Sequence, residues 1–106
     1  MFPLDSYLRR SDELVWREIG DGVVILTADG RAIHTLNKVG SAIWELADGT
    51  RRIKEIISLT CERFDVSLEV AQADVQEFAE QLVAKKILQI RNAEAETEAE
   101  GGGDDR

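Results

Sequence analysis

The sequence predicts an α+β fold of the winged helix-turn-helix type, with a three-stranded antiparallel sheet followed by three helices. Three observations carry this. Short apolar runs between residues 14 and 36 are divided by Asp21-Gly22 and Asp29-Gly30, and Asp-Gly supplies the positive φ angles that tight hairpins need. Beyond residue 37 the apolar residues recur at helical spacing. Asn37, Thr50 and Ser67 stand ahead of the three helical stretches as N-cap residues. The connections between helices are short, as in a winged helix-turn-helix. At 106 residues the chain has room for one small core.

Residues 1–12 read as an N-terminal arm. Phe2, Leu4, Tyr7 and Leu8 are its packing residues, set against either the domain or a second copy. The strands are Leu14–Ile19, Val23–Thr27 and Arg31–Leu36. The middle one contains Val23-Val24-Ile25-Leu26 and is apolar on both faces. One face meets the helices; the other needs cover from the arm, a partner or another subunit. The first helix runs from Lys38 to Ala47, with Val39, Ile43, Leu46 and Ala47 on one side. Gly40 weakens it and so marks a close approach to the sheet. Asp48-Gly49 ends it. Thr50 caps a second helix, Arg51–Phe64, with a stripe of Ile53, Ile56, Ile57, Thr60, Cys61 and Phe64. Ser67 caps a third, reaching about Lys85, with a stripe of Leu68, Ala71, Val75, Phe78, Ala79 and Leu82. Lys85 and Lys86 suit the negative end of its dipole. Residues 87–90 read as either a short strand or an extended tail packed on the core. The domain thus spans residues 13–91.

Charge divides the chain. Residues 1–91 carry 15 acidic and 12 basic side chains, net −3, while residues 92–106 carry six acidic and one basic, net −5. The second segment has no large apolar residue and cannot offset its ordering entropy; it reads as a disordered, solubilising acidic tail. Cys61 is the single cysteine, which suits a reducing cytoplasm and a small core residue. No run of about 18 apolar residues is present, so no membrane span is expected, and the N-terminus lacks a secretory signal.

An enzyme would need a recognisable constellation, and the sequence offers none. His34 is the only histidine and a poor metal site without companions. It reads as a partly buried strand residue or a peptide-contacting side chain. Asp12-Glu13, Glu45 with Asp48, and Asp74 with Glu77 read as solvated faces. No phosphate-binding glycine loop occurs, Ser41 and Ser58 have no evident base, and no cofactor or metal is called for. Arg51, Arg52 and Lys54 form a basic cluster that invites a DNA-binding reading. Phosphate contacts draw affinity from counterion release by Lys and Arg, and a domain at net −3 is poorly equipped for that. The third strand, in contrast, lies at a sheet edge, has no Pro and carries charge only at Arg31. Natural edges are usually guarded. An extended peptide adding there would gain main-chain hydrogen bonds; cover by the arm is the competing reading.

Several residue blocks add to this. Trp16-Arg17, Asp21-Gly22-Val23-Val24, Gly30, Leu36-Asn37-Lys38-Val39-Gly40, Ile43-Trp44-Glu45-Leu46 and Asp48-Gly49 occur in order. Ile53, Glu55-Ile56, Phe64-Asp65-Val66, Asp74-Val75, Phe78 and Leu82 follow. Over residues 14–90 this pattern resembles the PqqD family, named for pyrroloquinoline quinone biosynthesis, within the wider class of recognition elements for ribosomally made, modified peptides. The resemblance implies a winged-helix-like fold. It also implies a non-catalytic peptide chaperone that holds the leader of a precursor peptide and presents it to a modifying enzyme, often a radical S-adenosylmethionine enzyme. It places the leader along Ala32, Ile33, His34 and Thr35, facing Val75, Phe78, Ala79, Leu82 and Lys86. His34 stands where many relatives have an aromatic residue, and Cys61 and the acidic tail are outside the pattern. The other readings are a winged-helix DNA-binding regulator and a structural homodimer built on the second strand and the arm. The acidic third helix, with Glu69, Asp74, Glu77 and Glu80, speaks against nucleic acid. A homodimer is compatible with peptide binding.

Overall fold

The computed structural model describes residues 1–27 and 30–92. The expected meander is present: β2 (Val15–Ile19), β3 (Gly22–Leu26) and β4 (Ile33–Leu36) form an antiparallel sheet in the order β2-β3-β4. A second antiparallel sheet, order β5-β1-β6, joins three distant segments: β1 (Tyr7–Arg10), β5 (Asp48–Arg52) and β6 (Leu88–Arg91). The helices are α1 (Lys38–Leu46), α2 (Ile53–Phe64) and α3 (Leu68–Ala84). The acidic stretch beyond Asn92 lies outside the described residues.

The segment 1–12 packs on its own domain. β1 is the central strand of the second sheet, and Leu8 is fully buried in the core beside Ile53, Ile87 and Leu88. Ahead of it, the Phe2 N–H donates to Gln76 Oε1 and Gln76 Nε2 donates back to the Phe2 carbonyl, both at 2.9 Å. These bonds satisfy a glutamine that α3 buries. Asp5 pairs with Lys54 at 3.0 Å, and the ammonium holds its carboxyl below the ordinary carboxylate range.

The start of the second helix differs from expectation. Thr50 does not cap it: its N–H and hydroxyl both donate to Asp48 Oδ1, at 3.0 and 2.6 Å, in a local turn. These bonds hold the Asp48 carboxyl low. Residues 48–52 are extended because β1 recruits them, with Tyr7 opposite Arg52 and Arg9 opposite Asp48. The helix therefore begins at Ile53 after Arg52, whose N–H donates to Glu55 Oε1 at 2.8 Å. Gly49 does not stop α1 but sits in β5 at φ +89°, with the Arg9 side chain 3.4 Å from where a Cβ would stand.

The other caps behave as expected. Asn37 Oδ1 accepts the Gly40 N–H at 2.8 Å, and Ser67 Oγ accepts the Val70 N–H at 3.2 Å. Gly40 permits a close approach, to α3 rather than the sheet: its Cβ would lie 3.2 Å from Phe78 Cε1. Cys61 is half-buried and its thiol donates to the Val66 carbonyl at 2.9 Å.

Candidate functional site

β4 is the outer strand of its sheet, paired on one side only. Its register is Leu26 opposite Ile33, Ile25 opposite His34, Val24 opposite Thr35 and Val23 opposite Leu36. The Thr27 N–H donates to the Ala32 carbonyl at 3.1 Å, which makes Thr27–Ala32 a hydrogen-bonded pair. Antiparallel pairs alternate between bonded and non-bonded. Ala32, His34 and Leu36 therefore turn their backbone groups toward β3. Ile33 and Thr35 turn theirs outward, with no partner among the described residues. The unguarded edge is thus a specific pair of residues.

Side chains alternate across the sheet. Trp16, Ile25 and His34 form one inward row, and Trp16 meets the buried Trp44 of α1 edge-on at 5.7 Å between ring centroids. Arg10 lies over both rings and donates to the Trp44 carbonyl at 2.7 Å, fastening β2 to α1. Val15, Leu26 and Ile33 form the outward row and stay exposed, Ile33 at 67%. The arm does not cover this face.

Two cavities lie near the two ends of β4. At the N-terminal end of the strand is a cavity of about 880 Å³ bordered by Ala32, His34, Lys85, Lys86, Leu14 and Gln89. At the other end, a cavity of about 250 Å³ lies between Asn37, Val39 and Gly40 on one side and Asp74, Glu77 and Phe78 on the other. Ala32, His34 and Lys86 thus border the first cavity, Phe78 borders the second between α1 and α3, and Ile33 and Thr35 stay on the open edge. Val75 and Ala79 are 0% exposed and Leu82 is 5% exposed; their side chains belong to the core. Three of the five expected helix-side positions thus lie in the core. Val75, Ala79 and Leu82 share the inward stripe, whereas Asp74, Glu77, Phe78, Gln81 and Lys85 recur at the same helical spacing one stripe over. That polar stripe flanking the apolar one was the available signal for the cavity side of α3.

Glu45 faces Glu18 rather than Asp48; their shared hydrogen bond and mutual repulsion raise the Glu45 pKa. Both side chains are exposed. Among the described residues no cluster of three or more metal-ligating side chains occurs, and no helix is long and apolar enough to cross a membrane.

Residues 22–88 match the family model for coenzyme PQQ synthesis protein D. A PqqA binding protein of Kluyvera intermedia is 33% identical over 86 residues, covering 81% of this chain and 90% of the relative. One from Klebsiella pneumoniae strain 342 is 36% identical over the same spans. Among solved structures, TbiB1 in complex with the TbiA(beta) leader peptide aligns with a TM-score of 0.70 at 31% identity, over 76% of this chain and 94% of that one.

Proposed function

We propose, from the premise that this chain belongs to the PqqD family, that it is a non-catalytic carrier for the leader segment of a ribosomally made precursor peptide. The guest adds to β4 as a fourth strand and presents its remaining length to a modifying enzyme. The observation that carries this is the open edge at Ile33 and Thr35 beside a cavity bordered by Ala32, His34 and Lys86. Main-chain bonds to those two residues supply sequence-independent affinity, and side chains alternating into the cavities supply selectivity. Ala32, His34, Phe78 and Lys86 are the side-chain contacts; Val75, Ala79 and Leu82 hold α3 in place beneath them. The naming of the curated relatives for PqqA, and the leader bound to TbiB1, support the same site class.

Catalysis belongs to the partner, which we take to be a radical S-adenosylmethionine enzyme or another peptide-modifying enzyme. Holding the leader raises the effective concentration of the attached core peptide at that partner. The single thiol and the absence of a membrane-crossing helix among the described residues suit a cytoplasmic setting. Titrating the labelled protein with the precursor peptide encoded beside its gene tests the reading. Amide signals of Ile33 and Thr35 and those of the Phe78 turn are expected to move; an unchanged spectrum at millimolar peptide would refute it.

A further inference from the structure

The last turn of α3 closes in a Schellman arrangement. The Ile87 N–H donates to the Leu82 carbonyl at 2.9 Å and the Lys86 N–H to the Val83 carbonyl at 3.0 Å. In this motif the residue after the cap adopts a left-handed conformation, and glycine is its usual occupant. Here the position holds Lys86, at φ +64°. A side chain is strained there, so a lysine in place of glycine calls for a reason outside the helix.

The surroundings supply one. Lys86 borders the larger cavity together with His34 and Ala32 of β4. Its backbone is pinned, because Ser11 Oγ donates to its carbonyl at 2.8 Å. No ion pair among the described residues involves Lys86 or Lys85. The acidic groups on the same cavity are Asp12 and Glu13. Asp12 is already held by Arg9 through two bonds of 2.7 and 2.8 Å. The cavity at the other end of β4 has Asp74 and Glu77 on its border and no Lys or Arg.

We infer that Lys86 is a specificity residue that receives an acidic side chain of the guest peptide at the Ala32–His34 end of β4. The acidic far end disfavours the same side chain there. For a guest running antiparallel to β4, as every strand pair in this sheet does, the carboxylate falls on the C-terminal side of the docked segment. The inference rests on the proposed strand addition and adds a chemical class of guest: an extended segment bearing Asp or Glu at one end and not the other.

The strain makes the test clean. Lys86→Gly removes the ammonium and relieves the backbone, so the variant is expected to fold and to melt about 4 °C higher. Wild type and variant are each used to select from a displayed library of random 12-residue peptides, with binding to β4 checked by Ile33 and Thr35 amide shifts. Wild type is expected to enrich peptides with Asp or Glu at one end, and the variant to lose that enrichment. A selected peptide should bind Lys86→Gly about fivefold more weakly. Its Glu→Gln version should bind both proteins alike. Enriched peptides without the acidic bias, or the same bias in the variant, overturn the inference while leaving strand addition standing. Failure of wild type to select any peptide that shifts those amides overturns both.

Discussion

Proline scanning along β4 separates the backbone groups that build the protein from those offered to a guest. Ile33 turns its N–H outward and its side chain is 67% exposed. Pro is tolerated at such edge positions because no ladder bond is lost. Ile33→Pro should therefore leave the fold nearly intact, costing under about 1 kcal/mol or about 4 °C in Tm. It does remove a donor from the guest's ladder. A net hydrogen bond is worth about 0.5–1.5 kcal/mol, so leader affinity should fall between about twofold and tenfold, and further where the ring obstructs approach. His34→Pro should behave in the opposite way. His34 is in a bonded pair with Ile25, which has no exposed surface. Its loss orphans a buried carbonyl at about 1–3 kcal/mol. The assay is isothermal titration with the precursor leader, paired with thermal melts of both variants. A stable Ile33→Pro protein that binds like wild type, or an Ile33→Pro protein that melts as low as His34→Pro, would refute the assignment of outward and inward groups.

Further outcomes follow from other positions. Phe78→Ala should keep the fold at a cost below the roughly 3–5 kcal/mol of a fully buried Phe, since Phe78 is half-buried, and should weaken leader binding in the same titration. Leu8→Ala should cost about 2–5 kcal/mol in urea unfolding, as a fully buried residue in a central strand requires; a loose arm would show almost no change. Glu45→Gln should raise Tm at neutral pH. The folded carboxyl holds its proton more tightly than the unfolded chain does, so the penalty is full above its raised pKa, fades as pH falls, and is gone below the ordinary value of 4.5; melts across that window check it.

The meander, the three helices and the exposed edge were legible because each depends on local signals. Asp21-Gly22 and the cap residues Asn37 and Ser67 act within a few residues of themselves. The second sheet was not legible, because its strands are made by partners far away. Residues 48–52 carry turn and cap chemistry in Asp48-Gly49 and Thr50 and become a strand only when β1 lies beside them. Residues 7–10 and 88–91 are each too short to declare a strand alone, and pair across most of the chain. Of the residues that border the two cavities, Ala32 and His34 were read from the strand, whereas Asp74, Glu77 and Gln81 of α3 were not. The apolar stripe of α3 shows which side faces the core, but which adjacent stripe borders a cavity depends on how the helix is docked, and the close approach of Gly40 to Phe78 sets that stripe against α1.

The two sheets differ in how soon a growing chain can complete them. Everything needed for β2, β3 and β4 lies within 22 consecutive positions, so the berth for a guest can zip up by short-range hairpin closure on a microsecond scale. β1 must instead wait until Arg91 is available to lie opposite Tyr7, a long-range step of the kind that slows folding. A chain shortened before Leu88 would keep its outer hairpins yet expose one flank of β1, inviting sticky edge-to-edge self-association. The last strand is in this sense the protein's safeguard against clumping.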